Sequence, residues 1–114
     1  MKIIKRGDIK LESAHGGSGS RKVLMQNVKT SEIEAMTDGF LPGGGQMFDW
    51  HLHDGLTEIM YVLAGSGKVH DEDGQYDYAS GDLFTFPANE KHKIVNTGDS
   101  ESHMIFVRFK EKAI

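Results

Sequence analysis

The chain has no cysteine. That excludes a disulfide framework, a thiolate metal site and a cysteine nucleophile. Basic charge is not in excess either: 13 Lys and Arg stand against 17 Asp and Glu, a net charge of -4. A nucleic-acid partner would call for a basic stripe, so none is expected. No apolar run is long. The best of them, residues 59–64, falls far short of the ~20 residues of a membrane helix, so no membrane partner is expected. Residues 1–6 carry Lys2, Lys5 and Arg6 where a secretion signal would be apolar. A cytoplasmic location is the expectation. Proline is scarce, with two residues, whereas glycine is plentiful, with 14. Glycine reaches φ > 0 without steric cost, so this balance signals many tight turns. Finally, no long segment shows apolar residues at a 3.6-residue period, which argues against a helical fold.

What is present fits a single domain over residues 1–114. The usual ~100–200 residues per domain gives one, with room for one hydrophobic core. A hydrophobic fraction of 38% and a charged fraction of 26% exclude wholesale disorder. Nine or ten short strand-like segments follow one another, including 22–28, 47–53, 58–63, 68–72, 75–78, 83–86, 91–96 and 103–109. Residues 1–12 read as an edge strand guarded by lysines. Ser31 and Glu34 fit a short helical capping box, in competition with a strand over 32–41. Asp73-Gly74 between two strands predicts a hairpin with a type I′ turn, both central residues at φ > 0. The fold class expected is all-β, a sandwich or barrel, with little or no helix.

Six histidines are spread along the chain, at 15, 51, 53, 70, 92 and 103. His51 and His53 are separated by one residue. On a strand they share a face, ~6.6 Å apart along the chain. Glu58 follows across the Asp54-Gly55 turn and leads straight into the apolar run Ile59-Met60-Tyr61-Val62-Leu63. A carboxylate entering a buried strand needs a cation or hydrogen bonds. His92 stands at another strand entrance, after Pro87. Three imidazoles and one carboxylate suit one divalent transition metal ion: Fe, Mn, Ni, Zn or Cu. Four such ligands leave up to two positions of an octahedral ion open.

These residues resemble the two signatures of the cupin superfamily. Gly45, five residues, His51-x-His53, four residues, Glu58, six residues and Gly65 match the first. Gly81, five residues, Pro87-Ala88-Asn89, two residues, His92, three residues and Asn96 match the second. One element departs: Asn89 stands where the family has glycine, and asparagine tolerates the left-handed region better than most residues. The 15 residues 66–80 separate the two blocks, as in a compact cupin. The resemblance implies a small antiparallel jelly-roll β-barrel with a metal inside one mouth. It carries His51, His53, Glu58 and His92 over as metal ligands, Gly45, Gly65 and Gly81 as turns, and Pro87 and Asn96 as structural positions. It names no catalytic residue.

Cupins use this one site for dioxygenation, decarboxylation, isomerisation, lyase reactions and small-molecule sensing, and fold does not choose among them. The first reading is a metalloenzyme acting on a small carbonyl- or carboxylate-bearing metabolite. The alternative is a non-catalytic binding or sensing cupin. Strand parity places Met47 and Asp49 inside with the histidines, and Phe48, Trp50 and Leu52 outside. That outward apolar trio points to a homodimer. His15 precedes the Gly-rich stretch 16–19; a solvated loop histidine is favoured over one that reaches the barrel mouth. Arg21 reads as a surface residue, with carboxylate binding as its alternative. His70 is expected to be exposed and His103 to pack. Gln46 and Asp49 are candidates to support a ligand's second ring nitrogen.

Overall fold

A computed structural model describes residues 1–26 and 32–111. Ten strands make up most of it: β1 (Glu12–Ala14), β2 (Gly19–Gln26), β3 (Ile33–Leu41), β4 (Met47–His51), β5 (Leu56–Ala64), β6 (Ser66–His70), β7 (Gln75–Ala79), β8 (Leu83–Phe86), β9 (His92–Val95) and β10 (Ser102–Lys110). The helical content of the described residues is one 3₁₀ turn, Arg6–Asp8; the tight turn at His15–Gly17 has positive φ at all three residues and is not a regular helix. The strands form two antiparallel sheets. One has six strands in the order β1-β2-β3-β10-β5-β8, the other four in the order β4-β9-β6-β7. The sheets share no strand, so the expected barrel is an open jelly-roll sandwich rather than a closed ring. No helix among the described residues is long and apolar enough to cross a membrane.

Register explains what lies between the sheets. In the large sheet Phe86 of β8, Glu58 of β5, Arg108 of β10 and Ala35 of β3 form one cross-strand row. The next inward row is Phe84, Met60, Phe106 and Thr37. Residues opposite one another in a ladder share a face, so Glu58 and Arg108 point to the same side as the core residues Met60 and Val62. In the small sheet Phe48, Ile94 and Val69 form a matching row. Leu41, Met60, Val62, Ile94 and Met104 are fully buried at its centre. Each such side chain contributes about 1.5–3 kcal/mol by leaving water.

Several expectations need correction. Phe48 does not point outward: it is 2% exposed and belongs to the core. Between its pairing with Ile94 and that of His51 with His92, β4 advances three residues while β9 advances two. This bulge inserts one residue and resets the alternation, so Phe48 and His51 both face inward. Trp50 and Leu52 remain exposed, and the outward trio does not exist. Residues 1–11 are not a strand; pairing starts at Glu12. They are instead held to the outer face of the large sheet, where Arg6 Nε sits 2.5 Å from the buried Asp38 carboxylate. Ser31 of the capping box lies outside the described residues, and Ile33 and Glu34 open a strand. The Asp73-Gly74 hairpin forms, but neither residue has positive φ. Asp71 Oδ1 accepts from the amides of both Asp73 and Gly74 instead, at 2.8 and 2.9 Å. A side-chain-capped turn replaces the type I′ geometry.

Candidate metal centre

The β4 bulge and the β4–β9 pairing put His51 directly across from His92, with ring centroids 4.2 Å apart. His53 follows in the loop after β4, and its ring centroid is 5.2 Å from that of His51. Glu58 enters from the large sheet. Its Oε1 lies 3.3 Å from His53 Nε2 and 3.7 Å from His92 Nε2. One donor atom from each of His51, His53, Glu58 and His92 falls within 4.8 Å of all the others. All four residues read from the sequence thus meet at one point between the sheets.

Local structure fixes each of them. His51 Nδ1 is 2.6 Å from the Asp49 carbonyl oxygen. A carbonyl only accepts, so Nδ1 carries the proton and Nε2 the lone pair. The support comes from the Asp49 backbone; its side chain accepts from the Trp50 amide instead. The expected role of Gln46 is not seen: its backbone carbonyl accepts from Asn96 N at 2.9 Å and meets no ligand ring. His92, 1% exposed, stacks on Phe86 at 4.0 Å and 8°. The His53 loop is fastened by Asn89. Its amide donates to the His53 carbonyl at 3.1 Å, and its Oδ1 accepts from Gly55 N at 3.0 Å. Asn89 holds φ 65, the left-handed conformation its place in the motif requires. Asn96 is fully buried and bonds the Leu41 and Ser100 carbonyls, a structural position as expected.

The protonation states suit cation binding. Burial pushes the His51 pKa down to about 4; the Asp49 carbonyl opposes this, and the His92, His15 and His53 rings add to it. Burial alone would raise Glu58, but His53 and His92 outweigh it and hold the carboxyl at about 2. At neutral pH His51 is neutral and Glu58 ionised, as ligands must be. A second observation concerns unmade bonds. His53 Nε2 and both ring nitrogens of His92 are buried without a hydrogen bond. Buried polar atoms rarely stay unpaired, and those that do ask for a reason. A divalent ion beside Glu58 supplies one for each Nε2, so the residues present fit such an ion.

Three of the four, His51, His53 and Glu58, line a cavity of about 50 Å³ together with His15, Ser20, Arg21, Thr37 and Arg108. Its size allows ~3–5 water-sized groups at about 10–15 Å³ each. The favoured reading of His15 as a solvated loop residue is therefore corrected. Although exposed at the rim, its ring stacks on Phe48 at 4.5 Å and meets His51 at 4.6 Å. Partial burial lowers its pKa. Arg21 reaches the wall while paired with Glu12 at 2.7 Å. Arg108 was not singled out from the sequence. A lone arginine in the otherwise apolar stretch 104–109 is the signal that could have found it. Its Nε sits 2.9 Å from Glu34 Oε2. His103 packs against Phe40 on the outer face, and His70 lies beside Trp50, both away from the cavity.

A family model described as a cupin domain matches residues 40–108, the span that carries all four converging side chains. The chain belongs to the cupin family. Among curated relatives of this cupin, an oxalate-binding protein of Thermotoga maritima is 34% identical over 101 residues, covering 86% of this chain and 83% of that protein. An uncharacterised protein of Methanocaldococcus jannaschii is 30% identical over 101 residues, covering 87% and 80%. Among solved structures, one described as a predicted oxalate decarboxylase of Thermotoga maritima superposes with a TM-score of 0.87 at 23% identity, covering 96% of this cupin and all of that chain. KdgF from a Halomonas species gives 0.81 at 18% identity, covering 98% and 96%. At these identities the structures share the fold.

Proposed function

We propose that this cupin binds one divalent transition-metal ion through His51, His53, Glu58 and His92, and uses the ion to hold a small carboxylate such as oxalate. The observation that carries the reading is the buried, unbonded Nε2 atoms of His53 and His92 beside an ionised Glu58. When bound, the ion supplies Lewis acidity and positions for two ligand oxygens. The chain supplies the rest. Glu58 and the imidazoles offset the charge of the ion, and the Asp49 carbonyl fixes the His51 tautomer. Arg21 and Arg108 line a cavity of about 50 Å³ with their charges already met by Glu12 and Glu34, and its small volume favours a compact anion over a sugar-sized one. The likeness to an oxalate-binding protein supports the same ligand class.

The experiment is titration calorimetry of metal-loaded protein with oxalate, beside elemental analysis of the variants. His53→Ala and His92→Ala are expected to lose most of their metal and all oxalate binding. His70→Ala is expected to keep both. Equal metal content in all three would end the reading.

Turnover is the second reading, favoured by the open cavity beside His51, His53 and Glu58. Release of formate or carbon dioxide from oxalate by metal-loaded protein distinguishes it from binding alone. We propose further that the protein is a homodimer, through a different surface from the one the sequence suggested. The outer face of the large sheet presents Leu63, Leu83 and Tyr61, at 38%, 59% and 42% exposure, beside an apolar groove lined by Ile4, Met36 and Ile105. Apolar patches of this kind on a sheet mark association surfaces.

A further inference from the structure

The turn between β1 and β2 holds three successive residues in the left-handed region: His15 at φ 50, Gly16 at φ 68 and Gly17 at φ 98. Two of them are glycines, for which this is ordinary. His15 is not, and a non-glycine residue persists there only when its surroundings hold it. Among the described residues only Asn89 shares this feature, and Asn89 has its hydrogen bonds to the His53 loop to account for it. His15 instead has its ring stacked on Phe48 and against His51, and its carbonyl accepts from Ser18 N.

Three independent features of the chain converge on that stack. The β4 bulge turns Phe48 inward, on the same side as His51. Gly19 leaves the space that the Phe48 ring fills: a Cβ there would lie 2.7 Å from the ring and 2.4 Å from the Phe40 carbonyl oxygen. Ala14, just before the turn, is 8% exposed and anchors it. The result is a fourth imidazole standing over the cavity, tilted by 60° against His51, and not one of the four converging donors. A site that needed only the metal would not need this residue in this conformation.

We propose that His15 is a specificity residue that contacts the bound ligand: its ring N–H donates to a carboxylate oxygen, and its bulk narrows the cavity mouth. This rests on the metal-carboxylate reading above and adds the selection of ligand size. The open volume of about 50 Å³ is what remains with the ring in place. A two-carbon dicarboxylate suits a space of that order, whereas a longer one has to extend past the ring at the mouth.

The test is calorimetry of metal-loaded wild type, His15→Asn and His15→Ala with oxalate, malonate and succinate, with metal content measured alongside. Asparagine tolerates the left-handed backbone, so His15→Asn guards against a folding artefact. All three proteins are expected to hold equal metal. Wild type is expected to prefer oxalate over succinate. In both variants that preference should fall about tenfold or more, through lost hydrogen bonding to a charged group and a wider mouth. A wild type that binds oxalate while both variants keep its preference overturns the role of His15 alone. So does an equal loss of affinity for all three acids, which a merely structural role would give, and so does loss of metal from His15→Ala. If metal-loaded wild type binds none of the acids, the carboxylate reading fails, and the role of His15 with it.

Discussion

Acid should weaken the metal-free protein through His51 before it reaches Glu58. In the folded chain burial first, then the neighbouring His92, His15 and His53 rings, push His51 down from 6.5 to about 4. Above pH 6.5 the imidazole is neutral in both states and contributes no pH dependence. As pH falls below 6.5, the unfolded chain takes up a proton that folded His51 refuses, so stability drops until about pH 4. The full shift would correspond to about 3 kcal/mol at ~1.4 kcal/mol per unit. His51 is only partly buried, and solvent screening reduces this to about 1–2 kcal/mol. Glu58 works in a separate window. Its carboxyl is held at about 2 rather than 4.5, so its contribution is lost only as pH falls from 4.5 towards 2. The assay is urea unfolding of chelator-treated wild type and His51→Asn at pH 7.5, 6.5, 5.5 and 4.5. The variant loses its bond to the Asp49 carbonyl at every pH, so its curve is displaced throughout. Its slope is the readout. Wild type should lose about 1–2 kcal/mol more than the variant between pH 6.5 and 4.5. Parallel curves over that range would refute the argument.

Three further outcomes are expected. Asn89→Gly keeps the left-handed turn and loses only the bond to Gly55 N, costing about 0.5–1.5 kcal/mol, whereas Asn89→Ala adds backbone strain of about 1–2 kcal/mol; equal melting temperatures for the two would contradict this. Gly19→Ala drives a methyl into the Phe48 ring and the Phe40 carbonyl, and should cost about 1–3 kcal/mol by thermal unfolding. Light scattering should give twice the 12.6 kDa mass for wild type, and Leu63→Glu with Leu83→Glu should return it to the single mass; a monomeric wild type removes the dimer proposal.

The sequence by itself determined most of the strands from β4 onward and the cluster of titratable side chains. Both rest on short-range physics. His51 and His53 share a strand-like stretch, Glu58 follows one turn later, and His92 sits at a strand entrance after Pro87, so spacing alone carries the pattern. The left-handed turn at Asn89 was legible for the same reason: a backbone preference belongs to one residue and its neighbours. Tertiary structure decided the rest. The inward turn of Phe48 depends on a bulge, which exists only because β4 pairs with β9 in a particular register. Alternation along β4 alone predicts the opposite face. Arg108 enters the cavity because β10 runs between β3 and β5 and lines it up with Glu58, 50 positions away in sequence. His15 meets His51 because β1 and β2 fold back at the mouth, where Gly19 admits the Phe48 ring. Local preferences are written residue by residue; which side chains share a cavity depends on how distant strands pair, and that is settled by the packing of the whole chain.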